Sequence, residues 1–440
     1  MLNIKHVSLA FTAAIFLSAD VLAQTDSTEF MKNLCALPGV SDVKKLETTR
    51  FPEKYVLKIR QNLDTDNAEA GTFNQRVIVG YVGEDRPTVI VTEGYNADYA
   101  MSPSYIEELS DLFDANMVFC EYRYFGESMP KPTDWNFLTV ENSLGDLHKV
   151  NTTFRKLFKG KWISTGISKG GQTTMFYRTY YPNDVDVSVS YVAPLNKSVE
   201  DGRHEPFLRD EVGTKKERKA VHNAQLEMFK RKSSLVEMLE KKVKADGLNF
   251  NLPLDEIFDY ELMEYPFAFW QWGTPVSEIP SSKDSDEVWF EHLMKVSGPD
   301  YFSVPGRYLS FNMQALRELG YYGYEIDPDF KKYCSISSTK DYLRRLMIPE
   351  SMGEWRNVSF DPTLYNKTVE YLKNNDPKHI FIYGEIDPWT ASGVAGWLDC
   401  SGKQNMRVYV QPRGSHKARI GNMPEDMKAE IMERLNGWLK

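Results

Sequence analysis

KWISTGISKGGQTTMFYRTYY, residues 161 to 181, is the stretch whose reading decides the fold. A β-type run from Trp162 to Thr165 leads into Gly166-Ile167-Ser168-Lys169-Gly170, and a helical stretch from Thr173 to Tyr181 is closed by Pro182. This is the Gly-x-Ser-x-Gly pattern of an elbow in which a strand turns sharply into a helix. Only residues without a β-carbon fit at Gly166 and Gly170, and Gly171 gives the helix more room to pack. The turn is predicted to expose Ser168 as a nucleophile. The helix N-terminus then aims unpaired N–H groups at its oxygen, with the Lys169 N–H as one oxyanion donor. Alone the pattern recurs by chance in roughly one chain of this length in ten. The strand before it and the helix after it raise its weight.

Working outward, the flanks alternate strand and helix. Tyr55 to Leu63 and Phe73 to Val82 resemble a hairpin, and Pro87 to Thr92 and Asn116 to Glu121 are short apolar runs of the kind buried in a sheet. Tyr105 to Phe113 has helical spacing, Thr139 to Phe158 is an amphipathic helix leading into the elbow strand, and Val185 to Val192 is the next strand. After Pro194 the chain becomes charged, helical in spacing and poor in strand signals until about residue 375. So long an insertion must carry its own structure. Alternation returns with strands at His379 to Ile386 and Met406 to Gln411, a segment Ala391 to Leu398 between them, and a final helix, Glu425 to Leu439. The expectation is an α/β-hydrolase core with a mostly parallel central sheet, built from residues 24–196 and 376–440, carrying a helical cap at 197–375.

Two stretches after the insertion supply what a neutral serine lacks, a base to take its proton and a carboxylate to set the base's tautomer. Asp387 follows the strand HIFIYGEI and precedes Pro388, which stiffens the turn. His416 lies in the loop after MRVYVQ, behind the flexible Gly414. Both sit beyond the carboxyl ends of strands, where the elbow also points, and the order Ser168, Asp387, His416 is that expected of an α/β-hydrolase. Glu385 competes with Asp387 as the acid. His148, on the amphipathic helix, reads as structural. The second oxyanion donor is expected from Glu93-Gly94-Tyr95-Asn96, with the Tyr95 N–H as candidate. The cluster EYRYFGES, 121–128, reads as a buttress in which Arg123 pairs with a carboxylate, with lining the site as the alternative.

Composition bounds the rest. Residues 1–23 read as a signal peptide: Lys5 and His6, an apolar run from Val7 to Leu17, and Val21-Leu22-Ala23 before Gln24. The chain is therefore expected to be exported, periplasmic or extracellular, with no membrane partner once the signal is cleaved. A net charge of −9 argues against nucleic acid. Cys35, Cys120, Cys334 and Cys400 fit an oxidising compartment, Cys334 to Cys400 being the favoured bridge, and their spacing is unlike a zinc site. No metal or other cofactor is called for. Oligomeric state is not encoded in any pattern.

TEGYN (92–96), EYRYFGES (121–128), DWNFLT (134–139), KWISTGISKGGQT (161–173), YVAPLN (191–196), FAFWQWG (267–273), GEIDPW (384–389) and GSH (414–416) together resemble the secreted prolyl tri- and tetrapeptidyl aminopeptidases first known from mycelial bacteria. That family is distantly similar to prolylcarboxypeptidase and lysosomal dipeptidyl peptidase. The matches span nearly the whole chain after the signal. The resemblance implies a serine peptidase with an α/β-hydrolase core and helical cap, acting on peptide substrates and releasing short peptides from a free N-terminus, often after proline. It implies Ser168 as nucleophile, Asp387 as acid and His416 as base. The departures lie mainly in the cap.

The activity the resemblance implies carries two expected substrate contacts. Trp270 and Trp272, in an aromatic block with Phe267 and Phe269, would wall a proline pocket, against the plainer reading of an ordinary cap core. An aminopeptidase also needs a carboxylate for the substrate ammonium. Glu93 is the first candidate, an acid in the cap the main alternative, and a structural pairing of Glu93 with Arg123 or another cation the plain reading. The rival functions are an esterase or lipase using the same triad, which the charged cap disfavours, and an exported binding protein on the same scaffold.

Overall fold

The computed structural model describes residues 28–440; the signal-peptide reading of 1–23 lies outside them. Nine strands form one sheet: β1 (Val40–Leu46), β2 (Glu53–Asn62), β3 (Thr72–Tyr81), β4 (Thr88–Thr92), β5 (Asn116–Cys120), β6 (Trp162–Ile167), β7 (Val187–Tyr191), β8 (His379–Gly384) and β9 (Arg407–Gln411). Their order is β1-β2-β3-β5-β4-β6-β7-β8-β9. The first three pair antiparallel, and every pairing from β5 to β9 is parallel. This is the α/β-hydrolase sheet. Because side chains alternate along a strand, Ile90, Val118, Trp162 and Phe381 enter the core on one face, while Val89, Met117, Ile163 and Ile380 enter that on the other. Val140–Phe154 and the elbow helix Lys169–Tyr180 cover the first face; Glu108–Leu112 and Glu425–Leu439 cover the second.

β1 carries no apolar run, since VSDVKKL is an edge strand with a largely exposed surface. Ala391 to Leu398, read as resumed alternation, holds only the end of a short helix, Trp389–Ser392. From Val192 to Lys378 the described residues contain no strand. Helices Lys215–Lys230, Lys232–Asp246, Leu254–Trp272 and Asp286–Val296 have a core of their own, with Met228, Leu239, Phe258, Leu262, Phe269 and Trp289 buried in it. Thr363–Asn374 falls inside the span read as cap, yet it buries Leu364 and Leu372 with the elbow helix's Phe176 in the sheet's core. The cap is also tied down by Glu318, whose carboxylate accepts the Val140 N–H at 2.8 Å. The favoured Cys334–Cys400 bridge is not formed. All four cysteines are free: Cys334 lies in the cap segment near Asp259 and Lys232, Cys400 beside Asp376 and Lys403.

Arg123 donates to both oxygens of Asp146 at 2.7 Å and to the carbonyls of Asn62, Leu63 and Phe137. The guanidinium is fully buried and Asp146 nearly so. Removing one partner strands a buried charge, so Asp146→Asn is expected to cost about 3 to 5 kcal/mol of stability. A denaturation midpoint unchanged from the parent's would show that water reaches the pair and that it is not the buttress its geometry describes.

Candidate active site

The elbow is imposed by sterics. A β-carbon on Gly166 would lie 2.3 Å from the Gly170 carbonyl carbon, and one on Gly170 would lie 2.8 Å from the Thr92 oxygen. Between them Ser168 takes φ 58° and ψ −119°, a conformation a non-glycine residue adopts only when its surroundings enforce it. Here the Ser168 N–H donates to the Tyr191 oxygen at 2.9 Å, and the Ser168 oxygen accepts the Gln172 N–H at 2.8 Å. The strain lifts the side chain off the end of β6, partly exposed, into a cavity of about 790 Å³ between sheet and cap.

Asp387 and His416 meet at the ends of β8 and β9, where the Ile386 N–H donates to the Gly414 oxygen at 2.9 Å and the Glu385 N–H to the Gln411 oxygen at 3.0 Å. The register places His416 Nδ1 2.7 Å from Asp387 Oδ2, with Asp387 fully buried. Asp387 Oδ1 accepts the Trp389 N–H at 3.2 Å. Glu385 is exposed and accepts the Arg413 N–H, so it has no part in this contact. The cap completes the arrangement, because the His416 N–H donates to the Gln271 oxygen at 2.9 Å and the edge of Trp272 meets the imidazole at 5.8 Å. Ser168 and His416 line the same cavity. No hydrogen bond joins their side chains among the described residues, and in ligand-free enzymes such contacts are often long.

Lys169 presents its N–H at the first position of the elbow helix, where no intrahelical acceptor exists. Its side chain is buried, donating to the Gly94 oxygen at 2.7 Å with the ammonium 3.2 Å from the Tyr122 ring centre. Burial pushes that ammonium well below the usual lysine value. The contact pins the loop after β4 to the elbow. That loop differs from expectation at Tyr95, whose N–H donates to Glu93 Oε1 at 3.1 Å and so has a partner already. Glu93 Oε2 accepts the Tyr99 hydroxyl at 2.5 Å. Burial raises the Glu93 carboxyl, against the pull of these donors and of Lys169. Arg123 is not its partner. Glu121, in the buttress cluster, accepts the Ala97 N–H at 3.0 Å, the Ser128 hydroxyl at 2.7 Å and the Arg76 guanidinium.

The two tryptophans part company. Trp272 is half exposed and lines the cavity, whereas Trp270 is buried in the cap core and lines a second cavity of about 600 Å³. The reason is helical period: Glu264, Ala268, Gln271 and Trp272 share the face of Leu254–Trp272 that looks at Ser168, and Trp270 faces away. The sequence reading did not single out Tyr301, Phe311, Tyr321 and Trp389, which wall the catalytic cavity, nor Glu264. The available signal was three acids, Asp259, Glu261 and Glu264, inside the apolar run IFDYELMEYPFAFW, and only the helix's docking shows that Glu264 is the one facing the cavity. His148 stacks on Tyr181 and bonds Asp184 at 2.7 Å, a structural role. Elsewhere, His222 lies 3.5 Å from Asp327 and 3.6 Å from Asp329, a partly exposed group that could bring three ligand atoms together; none of the three lines the cavity of Ser168.

Among proteins built on this sheet, an elbow serine beside an acid-bonded imidazole is the equipment of serine hydrolases. The family model described as PS-10 peptidase S37 matches residues 23–440, and the chain belongs to that family of serine peptidases. It is 28% identical over 412 residues to the prolyl tri/tetrapeptidyl aminopeptidase of Streptomyces mobaraensis, covering 91% of this chain and 83% of that one. It is 22% identical to the lysosomal Pro-X carboxypeptidase of Bos taurus, covering 83% and 82%. Among solved structures, a peroxisomal alpha-beta-hydrolase of Saccharomyces cerevisiae resembles it with a TM-score of 0.40 at 11% identity, covering 89% of this chain and 91% of that one. The sheet order is itself that of an α/β-hydrolase. Among the described residues no helix is long and apolar enough to cross a membrane.

Proposed function

We propose that this protein is an exported peptidase that releases tri- or tetrapeptides from free N-termini, favouring cleavage after proline. The observation that carries the chemistry is the 2.7 Å contact of His416 Nδ1 with buried Asp387, presented to the same cavity as the elbow serine. With Nδ1–H held by the carboxylate, Nε2 is the free base. It takes the Ser168 proton as Oγ bonds to the peptide carbonyl carbon. The oxyanion receives the Lys169 N–H, and a second donation from Tyr95 requires Glu93 to release that N–H. The imidazolium then protonates the leaving amine, the C–N bond breaks, and water repeats the cycle on the ester. Supporting the peptide reading, the prolyl tri/tetrapeptidyl aminopeptidase of Streptomyces mobaraensis matches 91% of this chain, and the cavity is walled by aromatic rings suited to a pyrrolidine.

The test is a panel of peptides with proline at varied positions, free or acetylated at the N-terminus, with products read by mass. Free peptides are expected to lose three- or four-residue fragments ending in proline. Release of single C-terminal residues, or hydrolysis of simple esters alone, would overturn the reading. On the same panel, Trp272→Ala is expected to lower kcat/KM after proline about tenfold more than after alanine. Trp270→Ala, acting through cap packing, should lower both alike. Equal losses for Trp272→Ala would remove it from the proline pocket.

A further inference from the structure

Three carboxylates line the catalytic cavity: Glu93, Glu264 and Asp300. Glu93 has both oxygens engaged by its own loop, one by the Tyr95 N–H and the other by the Tyr99 hydroxyl. Asp300 has a side chain 59% exposed, 3.8 Å from Arg307, where water screens its charge. Glu264 is different. It is 7% exposed, and the hydroxyls of Tyr322 and Tyr324 both donate to Oε2, at 2.8 and 2.7 Å. Oε1 accepts nothing among the described residues, and no cation pairs with the carboxylate there. The phenols of Tyr322 and Tyr324 are uncharged donors that hold one oxygen and leave the other to the cavity, and Tyr301 in turn bonds the hydroxyls of Tyr321 and Tyr322. A cation brought to a buried carboxylate so placed would offset the cost of its charge.

Its position also has a scale. Glu264 and Gln271 lie on the same helix face, and the Gln271 oxygen holds the His416 N–H. From position 264 to 271 the helix rises about 10 Å. Three residues of an extended peptide span about the same length. We propose that Glu264 receives the N-terminal ammonium of the substrate and thereby measures a three-residue fragment between itself and Ser168. The inference rests on the serine peptidase reading of the cavity and assigns to the cap the anchor that the sequence placed first at Glu93. It makes Glu264 a specificity residue that touches substrate without entering the bond-breaking step.

The test compares tripeptidyl nitroanilides ending in proline, free and N-acetylated, on the parent protein and on Glu264→Gln, which keeps shape and acceptor but not charge. The parent is expected to prefer the free amine by two orders of magnitude or more, and Glu264→Gln to bring the ratio of free to acetylated kcat/KM down toward one. Fluorophosphonate labelling of Ser168, which involves no amine, should be unchanged in Glu264→Gln. A parent that fails to label would sink the peptidase reading itself. A labelled Glu264→Gln that keeps the free-amine preference overturns the anchor alone. A second measurement needs no variant. Burial raises the Glu264 carboxyl to about 7, so the ratio of free to acetylated kcat/KM should rise with pH through about 7 and fall again as the substrate amine deprotonates near about 8. A ratio flat from pH 5.5 to 9 would overturn the proposal, as would equal cleavage of dipeptidyl, tripeptidyl and pentapeptidyl substrates by the parent.

Discussion

Ser168→Ala is expected to abolish fluorophosphonate labelling and to lower kcat on peptide amides by about six orders of magnitude, the scale on which a serine peptidase loses its nucleophile. The size follows from what remains. The Lys169 N–H, the walls of the cavity and Glu264 would still bind substrate, so KM should change little, while no atom is left to form the acyl-enzyme. The substitution is also mild for the fold. Alanine removes one oxygen from a partly exposed side chain, and the backbone bonds that enforce φ 58° at this position remain. An unchanged melting temperature with activity gone would therefore isolate chemistry from stability. Turnover near the parent rate would remove Ser168, and the mechanism with it.

Asp387→Asn is expected to cost about four orders of magnitude in kcat, for a reason specific to the two contacts of this carboxylate. Oδ1 accepts the Trp389 N–H and Oδ2 faces His416 Nδ1. An asparagine must keep its carbonyl oxygen on the Trp389 N–H, which turns its NH2 toward the imidazole. Nδ1 then has to accept, the ring proton moves to Nε2, and Nε2 can no longer take the serine proton. Glu385→Gln is the control. Glu385 is exposed, accepts only the Arg413 N–H, and its substitution should change kcat by less than about threefold, since a neutral amide oxygen replaces that contact. Steady-state kinetics of the two variants settle the assignment, and the reverse ranking would transfer the acid role to Glu385.

The unpaired state of Glu264 has a structural counterpart in Lys169. Both are buried ionisable groups whose charge is disfavoured by burial, and both stand beside aromatic rings in one cavity. Lys169 spends its donors within the protein, on the Gly94 oxygen and the Tyr122 face, and so braces the elbow against the loop after β4. Glu264 has one oxygen uncommitted. That difference separates a brace from a binding site.

What could be read from the chain alone follows the range of the forces involved. The elbow was legible because its constraint is local: Gly166 and Gly170 are four residues apart and touch. Asp387 and His416 were legible because apolar runs announce β8 and β9, and parallel strands deliver whatever follows them to one edge of the sheet. β1 was not, since an edge strand needs no apolar run. The helix Thr363–Asn374 was counted with the cap because its 3.6-residue period says that it buries a face, not against which body. The same limit separates Trp272 from Trp270. Periodicity places them on opposite sides of Leu254–Trp272, but only the docking of that helix over the sheet decides which side meets Ser168. Glu93 adjoins the oxyanion loop in sequence, and only the folded loop shows its oxygens already spent on Tyr95 and Tyr99. The sequence by itself determined the apolar strands at the centre of the sheet, the elbow and the order of acid and base, because each follows from contacts between near neighbours or from strand ends. The tertiary structure alone decided the substrate-facing wall, because Glu264, Tyr301, Tyr321 and Trp389 come from segments that share no local pattern and meet only when the cap closes on the sheet.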